Sequence, residues 1–167
     1  MINYSFIIRK AMETDAPAIQ EIMQDSFRKY LEDTGLTCSL EALQETVEDI
    51  ADDIRTREVF IAFIDNVPVG SVRVTILPDN TAYLSRFGVR PNYNNIGIGK
   101  SLMSLVDNML IENGVKRVRL HTASKYRELV RFYYGRGFYI ESTTKDKGYV
   151  RALMVKEYCS GINMLTE

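Results

Sequence analysis

Histidine occurs once in this 167-residue chain, cysteine twice and proline four times, and tryptophan is absent. A lone His121 with two cysteines, Cys38 and Cys159, makes neither a metal-ligand spacing nor a disulfide framework. No metal site is therefore expected, and both thiols read as ordinary buried or surface groups. Long apolar runs are also missing. Phe6, Ile7 and Ile8 form too short a run before Arg9 and Lys10 for a secretory signal. No stretch approaches the roughly 20 apolar residues that span a bilayer. Charge of one sign is not in excess, with 21 basic against 22 acidic residues and a net charge of -1. That balance calls for neither a nucleic acid nor a membrane as partner. Repeats, low-complexity tracts and linkers are absent. What remains is a chain 46% hydrophobic and 26% charged, as expected of one soluble domain over residues 1–167, cytoplasmic by default.

The apolar spacing orders this domain. "SFIIRKA" reads as a strand leading into a helix over 14–31, with Thr14 or Asp15 as cap and Pro17 in the first turn. Ile19, Ile22, Met23, Ser26, Phe27 and Tyr30 mark its buried stripe. A second helix is expected from Ser39, because Leu40, Leu43, Val47, Ile50 and Ile54 recur at helical spacing. "EVFIAFI" and "VGSVRVTIL" form a hairpin around Asp65-Asn66-Val67-Pro68, followed by the strand "TAYLSRFGV". A helix with an apolar face from Ile98 to Leu110 stops at Gly114. The strand "VKRVRLHT", the short helix "YRELVRFYYGRG" and a final hairpin around "TTKDKG" complete an α/β domain.

Between the third hairpin strand and the long helix lies "RPNYNNIGIGKS", residues 90–101. A glycine-rich turn entering a helix offers unpaired N–H groups and the positive end of the helix dipole to an anion. A dinucleotide fingerprint needs glycine where Leu102 stands, and a P-loop needs it where Asn94 stands. The turn Asn94-Asn95-Ile96-Gly97-Ile98-Gly99 fits the Q/R-x-x-G-x-G/A pattern of acyl-coenzyme A-binding enzymes, with asparagine in the first position. A plain tight turn is the structural alternative.

"FGVRPNYNNIGIGKSLMSLV" and "LVRFYYGRGF", residues 129–138, together with the spacing between them, resemble the coenzyme-binding blocks of the GCN5-related N-acetyltransferase (GNAT) superfamily. The resemblance runs from the strand at 82–89 to at least Phe138 and implies a mixed, mostly antiparallel twisted sheet flanked by helices. It implies a central strand that bulges and splays from its neighbour, with Gly88 as the expected bulge. Main-chain groups of Phe87, Gly88 and Val89 would pair with pantetheine, and the Val89 amide would face the thioester carbonyl. Amides from Asn95 through Ile96, Gly97, Ile98 and Gly99 to Lys100 would hold the pyrophosphate, with Lys100 and Arg136 near its charge. Ser124 and Tyr126 stand as weaker coenzyme contacts, Tyr126 occupying the place of a common family asparagine.

The implied reaction moves an acetyl group from acetyl-coenzyme A, the co-substrate, to a primary amine by direct attack. Tyr133 holds the position of the family's acid for the thiolate. His121, twelve residues earlier, stands at the spacing of a proposed base, with Tyr83 as a possible relay. A coenzyme-binding regulatory module without catalysis is the main alternative, and a P-loop nucleotide hydrolase a remote one. Acidic residues at Glu32, Asp33, Glu41, Glu45, Glu48, Asp49, Asp52 and Asp53 would attract a cationic acceptor or simply face solvent. Family members often pair, so a homodimer is expected, through "ALMV" or the tail "CSGINMLTE" unless these serve the core.

Overall fold

Among the described residues, helix and strand signals resolve into seven strands and four α-helices. The computed structural model describes residues 5–37 and 40–158; Cys38, Cys159 and the C-terminal tail considered as a dimer contact lie outside them. The elements run β1 (Phe6–Lys10), α1 (Ala16–Thr34), α2 (Val47–Thr56), β2 (Glu58–Ile64), β3 (Val67–Ile76), β4 (Thr81–Val89), α3 (Ile98–Glu112), β5 (Arg117–Ala123), α4 (Arg127–Gly135), β6 (Tyr139–Thr144) and β7 (Arg151–Glu157). They build one sheet in the order β1-β2-β3-β4-β5-β7-β6. Among the described residues only the β4–β5 pair is parallel, with α3 as the crossover that brings β5 alongside β4 in the same direction.

Local chemistry explains most boundaries. Asp65 and Asn66, with φ of 48° and 68°, form the β2–β3 turn alone, so Val67 and Pro68 already belong to β3. Helix α1 continues one turn beyond its expected end, to Thr34, and stops at Gly35 in the left-handed conformation. The expected second helix from Ser39 is broken. Glu41–Leu43 form a single 3-10 turn, and α2 begins only at Val47. Thr46 caps it, accepting from Asp49 N–H at 3.1 Å while Asp49 accepts from Thr46 N–H at 2.9 Å.

Two apolar layers sandwich the sheet. Leu102, Met103, Val106 and Leu110 of α3 pack on Val72, Leu84, Val118 and Met154. Ile19, Ile22 and Met23 of α1 pack with Ile50 of α2 on Val59 and Ile61. Ala152, Met154 and Val155 are fully buried in their own core, which leaves little of "ALMV" for a partner. On the α1/α2 face stands a fully buried arginine, Arg73 of β3. Glu45 holds it at 2.6 and 2.9 Å and Asp53 at 2.9 Å. Glu45 also accepts from Arg86 Nε at 3.0 Å. This network clamps the segment between α1 and α2 onto the sheet beside the middle of β4.

Candidate active site

Strands β4 and β5 pair only at Thr81–Arg117, Ala82–Val118 and Tyr83–Arg119, then separate. Beyond that point β5 pairs with β7 alone, and β4 with β3 alone. The fork leaves one edge of β4 open. Arg90 N–H bonds Val69 C=O on the β3 side at 2.8 Å, so strand alternation turns the Val89 N–H away from β3, into the fork.

A bulge aids the splay, but not at the expected residue. Arg73 faces Ser85 and Ser71 faces Gly88, so β4 carries one extra residue, and Arg86 takes φ 51°. Gly88 has a different reason to be glycine. A Cβ there would lie 2.3 Å from Ser26 Oγ and 3.1 Å from Met23 Cε, so α1 can approach β4 only over a bare backbone.

The turn after β4 opens a cavity of about 410 Å³ at the N-terminus of α3. Phe87, Gly88, Val89, Asn94, Asn95, Gly97, Ile98, Gly99, Lys100 and Tyr126 all line it, so ten of the sequence-derived binding residues converge on one site. Gly97 caps α3 with φ 90°, and Asn95 is also left-handed at φ 66°. The first N–H groups of α3 have no intrahelical partner, which is the arrangement expected of an anion cradle. Gly99 serves packing: its Cβ would sit 3.0 Å from Phe87 Cζ, whose ring stacks on Phe132 at 5.5 Å. Three expected residues are elsewhere. Ile96 is 61% exposed and does not line the cavity, and Ser124 Oγ donates to Val150 C=O at 3.2 Å. Arg136, past the end of α4, does not line it either. Tyr126 stacks on Tyr30 at 5.3 Å and donates to Asp33 at 2.7 Å, closing one wall.

Because the donors are main-chain groups, Asn94→Ala should change coenzyme A affinity by less than about threefold in a calorimetric titration. Gly97→Val places a branched residue in a left-handed cap, costs about 1–2 kcal/mol locally and misdirects the free amides, so affinity should drop tenfold or more.

A second chamber of about 210 Å³ adjoins the first, and Phe27, Tyr30, Phe87 and Leu129 line both. Tyr133, His121 and Tyr83 face this chamber. Tyr133 is buried against the rings of Phe87, Phe132 and Phe138, and burial pushes its phenol above the ordinary value. Tyr83 Oη lies 2.6 Å from His121 Nδ1, a contact that joins the expected base to its expected relay. Burial, reinforced by the Arg151 and Arg119 guanidiniums, holds the imidazole below its usual 6.5. It is therefore neutral at pH 7.

The acidic residues are mostly committed elsewhere. Asp33 pairs with Lys29, Glu48 and Asp52 with Arg55, and Glu45 and Asp53 with Arg73. Of the acids expected to attract a cation, Glu41 alone lines the chamber, and Lys147 holds it at 2.9 Å. Phe27 and Tyr30 were legible only as part of the α1 apolar stripe, since aromatic residues at helical spacing mark core and site walls alike.

The profile of the acetyltransferase (GNAT) family matches residues 16–138, which include α1, the fork, the cradle and Tyr133. The chain belongs to this family. Spermidine N(1)-acetyltransferase of Thermoplasma acidophilum is 30% identical over 82 residues, 49% of this chain and 50% of that protein. The chain spans half or less of the length of the curated relatives it matches. The PaiA N-acetyltransferase of Thermoplasma acidophilum, solved with coenzyme A, superposes at a TM-score of 0.80 with 23% identity. It covers 92% of this chain and 99% of its own. The ribosomal-protein-S18-alanine N-acetyltransferase of Escherichia coli superposes at 0.76 with 18% identity, over 97% and 100% of the two chains. Both superpose over nearly the whole chain and so share the fold seen here.

Proposed function

We propose that the protein transfers an acetyl group from acetyl-coenzyme A to a primary amine by direct attack. The observation that carries this reading is the shared wall between the two cavities. A thioester held in the first cavity meets an amine held in the second only beside Phe27, Tyr30, Phe87 and Leu129.

The residues present fit the coenzyme. The α3 cradle suits a pyrophosphate, and the open edge of β4 offers Val89 N–H to a pantetheine amide. Ser26 Oγ is buried at the cavity wall without a partner, and a bound acceptor group would satisfy it. Acetyl-coenzyme A supplies an activated acyl carbonyl and a thiolate leaving group. Phe87 lines both cavities whereas Val89 lines only the first, so the Phe87 amide replaces Val89 as our choice to stabilise the developing oxyanion. His121 takes the ammonium proton. With Nδ1–H donating to Tyr83, Nε2 keeps its lone pair for that proton; with Tyr83 donating, the phenol relays it to Nδ1. Tyr133 returns a proton to the departing thiolate.

Thermal unfolding with acetyl-coenzyme A, desulfo-coenzyme A and ATP tests the site. The two coenzyme forms should raise the midpoint, because a ligand that binds the folded state stabilises it. Stabilisation by ATP alone contradicts the reading. Thiol release with a panel of amines then separates an enzyme from a regulatory module. No helix among the described residues is long and apolar enough to cross a membrane. We place the protein in the cytoplasm and expect two copies to pair, which light scattering at micromolar concentration checks.

A further inference from the structure

The charge lining the second chamber is the reverse of what a cationic acceptor needs. Arg86, Lys147 and Arg151 face it, against Glu41 as the one carboxylate. Glu41 is 68% exposed and already paired with Lys147, so it offers little to an incoming ammonium. Arg151 differs from a surface arginine. Its side chain is only 15% exposed, and Asp146 holds one end at 2.9 and 3.2 Å. Its Nε–H is buried with no acceptor. Arg119 lies beside Tyr83 in the parallel register and two residues from His121, on the same face of β5, and its Nε–H is likewise buried without an acceptor. Arg86 spends its Nε on Glu45, and its nearest approach to Glu41 is 4.0 Å. Of Arg151 and Arg119, Arg151 lines the chamber, and a buried guanidinium donor without a partner is costly until an oxygen reaches it.

We propose that the acceptor is a small amine that also carries an anionic group, a carboxylate or a phosphate, seated against Arg151, Arg86 and Lys147. This inference rests on the acetyl-transfer reading above and narrows its substrate. The chamber is smaller than the roughly 300–1,000 Å³ of sites for drug-sized ligands, which suits a molecule of amino-acid size. The anion docks on the cationic wall while its amine reaches the shared wall and His121. A polyamine brings further ammonium groups against like charge, which disfavours it through repulsion. On this proposal spermidine, for which the 30% identical relative is named, is not the acceptor class expected here.

The test is thiol release from acetyl-coenzyme A by the full chain, with acceptors in matched pairs. Glycine and β-alanine are compared with their amides, O-phosphoethanolamine with ethanolamine, and all with spermidine. The first pairs read a carboxylate and the last a phosphate, so the two sources of anion separate. The amides have less basic amines, more often unprotonated, which biases the comparison against the proposal. We expect kcat/KM for at least one anionic amine to exceed that of its neutral counterpart and of spermidine tenfold or more. Arg151→Met, and separately Lys147→Met in the exposed hairpin turn, should shrink that ratio severalfold. The ratio is insensitive to a general loss of activity, and Lys147 is exposed enough that its variant folds. Spermidine or the neutral amines as the preferred acceptors, or an unchanged ratio in both variants, overturns the inference and leaves the transferase standing. No thiol release with any of these amines, in protein that acetyl-coenzyme A still stabilises, overturns the transferase reading and this inference with it.

Discussion

Arg73→Met should lower the thermal midpoint by about 6–20 °C, the largest stability effect of any single change considered. Removing one member of a buried ion pair typically costs about 3–5 kcal/mol, since the remaining charge is left uncompensated. A chain of this length loses about 2–4 °C per kcal/mol. Here Glu45 and Asp53 surround a guanidinium with no exposed surface, and without it they keep only Arg86 and Arg57 as partners. Glu45 also positions Arg86, so coenzyme-dependent turnover should fall along with stability. The combined replacement of Arg73, Glu45 and Asp53 by apolar residues should recover much of the midpoint, because the cations then left without these partners, Arg86 and Arg57, keep contact with water. A calorimetric scan of both variants checks this. A single variant within 2 °C of the parent would mean that the network carries little of the fold's stability.

Tyr133→Phe should cut turnover roughly a hundredfold while leaving acetyl-coenzyme A affinity nearly intact. The substitution removes one oxygen from a ring held by Phe87, Phe132 and Phe138, so the packing survives. Burial raises this phenol further above the thiol range, so it stays protonated wherever the thiolate needs it and adds no basic limb near neutrality. In the proposed mechanism the acidic limb belongs to His121. Its value in the folded protein is depressed, so activity is full above the ordinary 6.5 and declines only as the pH drops through that lower value. His121→Ala should abolish this limb of the kcat/KM profile, and Tyr83→Phe should displace it, because the hydroxyl bonds Nδ1 directly. An unchanged limb in His121→Ala would assign the base to ordered water.

The parts of the molecule legible in the sequence are those determined by local chemistry. Asp65-Asn66-Val67-Pro68 announced a hairpin, though Asp65 and Asn66 alone make its turn, and the glycine-rich loop announced the start of α3. Leu40, Leu43 and Val47 suggested one continuous helix, since the interruption at residues 44–46 preserves the apolar spacing. The Thr46-x-x-Asp49 box was the local sign of a fresh start. Arg73 stands in the strand "VGSVRVTIL" with no local sign of what would pair with it. Its partners lie 20 and 28 residues upstream, and only the packing of α2 on the sheet brings them to it. Gly88 was marked as unusual for a strand, but its cause, the approach of Ser26, is a tertiary contact. The cradle residues came together because they are nearly consecutive. The chamber did not, because Glu41, Arg86, His121 and Arg151 come from four separate segments.

Hydrogen–deuterium exchange with and without acetyl-coenzyme A tests the central claim most directly, since it reads the main-chain groups assigned to the coenzyme. Binding should slow exchange at residues 87–89, on the open edge of β4, and at residues 95–101, around the cap of α3. The amides of β1 and β2, on the far side of the sheet, should be unaffected. Protection confined to other elements, or none at saturating coenzyme, would contradict the account.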